Sequence, residues 1–212
     1  AAGYHVELST VRDDGRTLIS KGFTRRAKRL AEDNMWRLRG PMEQGIPLVG
    51  VEPSTLLTFR DEYRDFFPND PIIEQIAKNA YLIDEFLVAE SQKAHFIHPF
   101  APTPKRFLVH GHCFQKALVG TKPTLDMLRL VPELSVQEIP SGCCGMAGSF
   151  GYDKEKYDVS MQIGRLTLFP AVEQRQDADV LAVGTSCRHQ IHDGTHYHPK
   201  HPIQVLYQAL LP

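Results

Sequence analysis

The chain has little cysteine and even less tryptophan: four of one and one of the other in 212 residues. Four thiols are too few to scaffold a protein of this size with disulfides. In a cytosolic setting, grouped cysteines point instead to metal or redox chemistry. An excess of one charge is also missing. Lysine and arginine total 24 against 25 acidic residues, a net charge of -1, which removes the electrostatic case for a nucleic-acid or anionic-membrane partner. No apolar run is long enough to span a bilayer, and the start AAGYHVEL has no signal-peptide pattern. No GxGxxG fingerprint for a flavin or nicotinamide cofactor occurs anywhere. The expected location is therefore the cytoplasm, with peripheral association at the inner face of the membrane as the one membrane-linked option.

What remains is an ordinary globular composition, 42% hydrophobic and 23% charged, long enough for one sizeable α/β domain or two small ones. Short β-rich runs alternate with helical patterns. IPLVGV (46–51) predicts a strand, followed by a helix capped at Ser54 or Thr55 with apolar positions at Leu56, Leu57, Phe59 and Tyr63. RFLVH (106–110), LSVQEI (134–139) and DVLAV (179–183) predict further strands. Helices are expected at about 24–38, 114–130, 153–174 and 201–211, and a further strand at 4–8. This alternation predicts parallel sheets with crossover helices. The segment KAHFIHPFAPTPK (93–105) is the best linker, dividing the chain into units 1–99 and 100–212.

The two halves resemble each other. IPLVGVEPST (46–55) lines up with ADVLAVGTSC (178–187), and HVELSTVRDDGR (5–16) with SVQEIPSGCCGM (135–146), at nearly the same offset. Thr55 then stands where Cys187 does, and Asp13, Asp14 and Gly15 stand where Cys143, Cys144 and Gly145 do. The expected fold is two related Rossmann-like units about a pseudo-twofold axis, with thiols kept in the second. The first unit starts late, with nothing matching the segment around Cys113. Asp13 and Asp14 are either a hard-cation site or, as the plainer option, a solvated acidic turn.

Cys113, the Cys143–Cys144 pair and Cys187 each follow a predicted strand. In a parallel sheet such turns emerge at one edge, where α/β proteins bind ligands. Four converging thiolates with glycine-rich backbone nearby suit an iron–sulfur cluster. Zinc also takes four thiolates, although adjacent cysteines chelate a single zinc poorly. Small core residues and a disulfide remain as plainer alternatives. His110 and His112 flank Cys113, and His112 is the better candidate ligand because it adjoins the cysteine. His189 lies in the turn CRHQ, and His196, His198 and His201 form a run with metal-like spacing. Lys116 and Arg188 are placed to offset cluster charge or meet an anionic substrate.

HGHCFQKALVG, IPSGCCGMAGSFGY, GTSCRHQI and HPIQVL together resemble the cysteine-rich CCG-domain family. That family includes heterodisulfide reductase B subunits and the iron–sulfur subunits of glycolate, glycerol-3-phosphate and lactate oxidation systems. The wording is most similar to the iron–sulfur part of fusions with a FAD-linked 2-hydroxy-acid dehydrogenase. The resemblance implies an electron-transfer module with a 4Fe-4S cluster on Cys113, Cys143, Cys144 and Cys187, with His112 and His189 as further candidate ligands. It also implies FAD on a partner domain and a downstream acceptor such as a quinone. The chain departs from the pattern at Gln190, which replaces the last thiol of CxxC, and in the first unit, where DDG and EPST replace CCG and EPSC. The alternatives are a CCG domain that holds zinc or no metal and serves for structure or docking, and a thiol–disulfide enzyme using Cys143 or Cys144.

Overall fold

The structure is a computed structural model describing residues 3–11, 13–94, 96 and 99–211. It is a mixed α/β protein whose strands pair in parallel. Two compact units divide it, His5–Ile83 and Asp84–Pro212, the latter with the N-terminal Ala1–Tyr4. Among the described residues, no helix is long and apolar enough to cross a membrane.

The first unit contains α1 (Arg16–Ser20), α2 (Thr24–Glu43), β1 (Leu48–Gly50), α3 (Pro53–Arg60), α4 (Glu62–Phe66), α5 (Pro71–Asn79) and β2 (Ala80–Leu82). The capping of α5 is complete: the Asp70 side chain accepts the Ile72 and Ile73 N–H groups at 2.8 and 3.2 Å, with Pro71 opening the helix. Its buried Ile73, Ile76 and Ala77 join Leu57, Phe59 and Tyr63 among the core side chains. The pairing of β1 with β2 sets Leu48 against Ala80 and Gly50 against Leu82. The expected strand at 4–8 does not form. Val6 and Leu8 are exposed, so neither side chain gains packing from a strand there. Glu52, rather than Ser54 or Thr55, is the N-cap of α3, because Pro53 fixes the first helical position.

The second unit begins with α6 (Ile83–Ser91), then β3 (Arg106–His110), α7 (Cys113–Leu118), α8 (Lys122–Leu128), β4 (Ser135–Glu138), α9 (Tyr157–Leu166), α10 (Leu168–Glu173), β5 (Asp179–Ala182), α11 (Thr185–Thr195) and α12 (Pro202–Gln208). The division falls at Asp84 rather than near residue 100, because α6 is tied forward: buried Asp84 accepts from Gln115 at 3.0 Å and from Thr124. Part of the expected linker, at residues 95, 97 and 98, lies outside the described residues.

The sheet runs β4-β3-β5 with every pairing parallel. Alternation along the strands divides the core. On one face Val180 and Ala182 pack with Cys144, Cys187, Met161, Phe169 and Ile191. On the other, Phe107, Val109 and Leu181 pack with Met127, Leu128, Val205 and Leu206. Helices α9, α10 and α11 thus cover one face, and α8 and α12 the other. The two long helices expected over 114–130 and 153–174 are each broken. Pro123 restarts the first as α8. Pro170 clashes sterically with a continuous helix through Leu166, and the chain kinks at Thr167.

Candidate metal centre

The C-terminal ends of β3, β4 and β5 lie at one edge of the sheet, and every thiol follows one of those ends. Cys113 opens α7. Cys143 and Cys144 sit in the turn after Ile139, and Cys187 lies in the first turn of α11. Two glycines make the approach possible. Gly145 has φ +102, and a Cβ there would fall 2.1 Å from the Ser160 carbonyl oxygen, so the turn can lie against α9 only as glycine. Gly184 caps α11, and a Cβ on it would meet the His112 ring at 2.4 Å and the Cys187 sulfur at 3.3 Å.

The four thiols gather at this edge. Cys113 and Cys144 both lie near enough to Cys143, and Cys144 to Cys187, for each to shift the titration of the other. No disulfide joins them; Cys113 is exposed, Cys143 half-buried, Cys144 and Cys187 buried. Their titration alternates. Hydrogen bonds from Cys113 and Cys144, with the Gly145 and Ala147 N–H groups, hold Cys143 far below the usual thiol range against the opposing effect of burial. The Gly145 N–H lies 3.3 Å from its sulfur. Cys187 is also held well below that range, first by the hydrogen bond from Cys144 and then by His110 and His112. Cys113 and Cys144, the donors in these contacts, are pushed up by them and by burial.

The histidines separate by position. A ring nitrogen of His110 and the sulfurs of Cys144 and Cys187 lie within 4.8 Å of one another, all three residues buried. His110 Nδ1 sits 2.7 Å from the Ser141 hydroxyl, and its Nε2 is buried without a hydrogen-bond partner among the described residues. His112, the imidazole favoured from the sequence, uses Nδ1 to accept the Phe114 N–H at 3.2 Å as N-cap of α7. His189 is exposed, with Nδ1 2.6 Å from the Tyr152 hydroxyl. Both line a surface cleft of about 340 Å³ with Arg188, His192, Asp193, His198 and Pro199. His196 ends α11 in a left-handed conformation, and His201 caps α12, so the spaced run does not converge. Lys116 Nζ donates to the Ser141 carbonyl and anchors the thiol turn. Arg188 donates to the Ala182 and Val183 carbonyls at 3.0 and 2.7 Å. Gln190 donates to the Ser160 carbonyl and hydroxyl.

In the first unit, Asp13 accepts the Gly15 N–H at 2.8 Å and Asp14 the Arg16 N–H at 2.6 Å. Both carboxylates thus serve their own turn. Asn34 and Tyr63 hold the same turn by its Asp13 and Asp14 carbonyls.

The residues of the second unit fit a thiophilic metal. Thiolate and imidazole are the donors that zinc and iron–sulfur clusters take. An imidazole nitrogen left unpaired in a protein interior costs about 1–3 kcal/mol, and a ligated metal removes that cost.

The chain is similar to dehydrogenases and dehydrogenase subunits. Over 204 residues it is 30% identical to one of the subunits of the anaerobic glycerol-3-phosphate dehydrogenase of Escherichia coli, covering 96% of this chain and 50% of that protein. It is 27% identical to the D-2-hydroxyglutarate dehydrogenases of Haemophilus influenzae and Escherichia coli, covering 98% of this chain and 20% of each. The chain therefore spans about half or less of these relatives. No family model matches it, and no solved structure matches it.

Proposed function

We propose that the chain is an electron-transfer module of the CCG type, holding a 4Fe-4S cluster and relaying electrons from a FAD-dependent dehydrogenase to an acceptor such as a quinone. The observation that carries this reading is the gathering of four thiols, from three turns, at one sheet edge. The dehydrogenase names of the relatives supply its context. Cys113, Cys143, Cys144 and Cys187 would hold the cluster, which supplies one-electron chemistry when bound.

The remaining work belongs to the chain. The N–H groups of Gly145 and Ala147 point donors at the Cys143 sulfur, which lowers the cost of concentrating negative charge there. Burial of Cys144 and Cys187 excludes water from one side of the site, while the exposure of Cys113 leaves an approach from the other. The hydroxy-acid chemistry lies on the flavin partner.

The first unit is read as a copy of the second that has lost its thiols. In support, β1 and the start of α3 stand in the same sequence register as β5 and the start of α11. Gly15 and Gly145 both have positive φ. The pseudo-twofold axis and a location at the cytoplasmic face of the membrane belong to the same reading.

A second reading has one specific observation in its favour. Donors of His110, Cys144 and Cys187 within 4.8 Å of one another suit a single tetrahedral ion, for which sulfur bonds of about 2.3 Å put donors about 3.8 Å apart. That is the zinc-holding structural or docking alternative. One measurement separates the two. Chain purified without oxygen should be brown and carry about four irons and four sulfides; stoichiometric zinc without colour sinks the electron-transfer reading.

A further inference from the structure

We propose that His110 is itself a metal ligand of this centre, binding through Nε2, and that Ser141 is the residue that positions it. The inference rests on the reading of the thiol cluster as a metal site and adds a nitrogen donor to it.

The argument starts from strand parity. On β3, Phe107 and Val109 face the cluster of Met127, Leu128 and Leu206. Leu108 packs on the opposite face, with Cys144 and Cys187. His110 follows Leu108 by two residues and so projects to the thiol face. Its ring is fully buried, within 4.8 Å of the two buried sulfurs.

One nitrogen of the ring is bare. Nδ1 lies 2.7 Å from the Ser141 hydroxyl, whose own proton can go to the Ile139 carbonyl at 3.4 Å, while Nε2 has no partner among the described residues. Binding a metal through Nε2 requires the tautomer with its proton on Nδ1, and the Ser141 oxygen is placed to accept that proton. An imidazole with one nitrogen oriented by a hydroxyl, the other bare, and a ring nitrogen within 4.8 Å of two sulfurs is the arrangement of a metal-binding histidine. The ligand is a borderline-to-soft cation, zinc or the iron of a cluster, bound by mixed sulfur and nitrogen donors. A neutral imidazole brings less negative charge to a cluster than a thiolate at the same position would, so His110 also tunes the potential of the centre and His110→Cys lowers it.

The test uses the full chain reconstituted with ferrous iron and sulfide without oxygen, then reduced. Pulsed EPR should show a strongly coupled nitrogen whose hyperfine pattern changes on labelling histidine with ¹⁵N. His110→Cys should retain the iron, lose that coupling and have a lower reduction potential. Ser141→Ala should keep the coupling with altered strength. A wild-type cluster without the coupling overturns the proposal, as does a coupling that survives His110→Cys.

Should iron and sulfide fail to bind, the iron–sulfur reading fails, and His110 is tested with zinc alone against a chromophoric chelator. His110→Ala should then weaken zinc binding by about 100-fold or more, beyond the 10–100-fold typical of a residue that only supports a ligand. His110→Cys, melting at the wild-type temperature, should restore it. Unchanged zinc affinity in His110→Ala overturns the proposal, as does a chain that binds neither metal.

Discussion

The side-chain amide of Gln190 lies 2.9 Å from the Ser160 hydroxyl and 3.0 Å from its carbonyl oxygen, directly against Gly145. Ser160 in turn donates to the Gly145 carbonyl at 2.8 Å. An amide on α11 thus braces Ser160 of α9, whose hydroxyl holds the thiol turn, at the position where the CCG pattern would place its last thiol. Gln190→Ala should remove a buried donor from two acceptors and leave a small cavity. Destabilisation of about 1–3 kcal/mol is expected, read from denaturant unfolding. Metal affinity should fall with it, because the turn carrying Cys143 and Cys144 loses its support. Unfolding at wild-type denaturant concentration would show that the clamp is idle.

Gly145→Ala should be worse. The methyl group would enter the space of the Ser160 carbonyl in a backbone conformation that side chains disfavour. Neither the turn nor α9 can yield without breaking the Ser160 hydrogen bond. A loss above about 3 kcal/mol is expected, at the severe end for single substitutions. The checks are soluble yield and the thermal midpoint of the purified variant. Wild-type stability here would mean that the turn has a second conformation.

Much of this site was legible because strands advertise themselves by short apolar runs with turn residues after them. RFLVH forms the strand over its own five residues, and the three turns after the strands emerge where a parallel sheet must put them. His110 was legible too, but by a signal that adjacency to Cys113 obscured. Counting by twos from Phe107 separates His110 from the Phe107 face, whereas His112 lies beyond the strand and follows loop geometry. Other features were hidden in long-range pairing. β2 is three residues, AYL, and becomes a strand only because β1 lies beside it. Helix α6 belongs to the second unit through Asp84, Gln115 and Thr124, a polar triangle that no local pattern announces.

That triangle has a pH signature. Burial raises the Asp84 carboxyl above its ordinary value, against the hydrogen bond from Thr124. A carboxyl raised in the folded state binds its proton more tightly there than in the unfolded chain. Stability is therefore full below the unfolded value and declines as pH rises through the folded one. Asp84→Asn should abolish this decline: its amide oxygen can still accept from Gln115 and Thr124, and the loss of the bond from the Glu85 N–H to the other carboxylate oxygen is a cost that does not vary with pH. Thermal midpoints from acidic to neutral pH should show the variant gaining on wild type as pH rises. Parallel curves for the two proteins would remove Asp84 from the account.

In the first unit the decisive contrast is between a cation site and a turn that supports itself. The carboxylates of Asp13 and Asp14 accept N–H groups of the following two residues, and Tyr63 and Asn34 hold the carbonyls of the same turn. Asp13→Asn with Asp14→Asn should then leave iron and zinc content unchanged, since an amide oxygen still accepts those N–H bonds. Tyr63→Phe, by contrast, should cost about 1–3 kcal/mol, because it deprives the Asp14 carbonyl and the Asn34 amide of their partner while removing no carboxylate. Metal analysis and urea unfolding of the two variants together check the assignment. Loss of bound metal in the double asparagine variant, at wild-type stability, would return the acidic turn to consideration as a ligand.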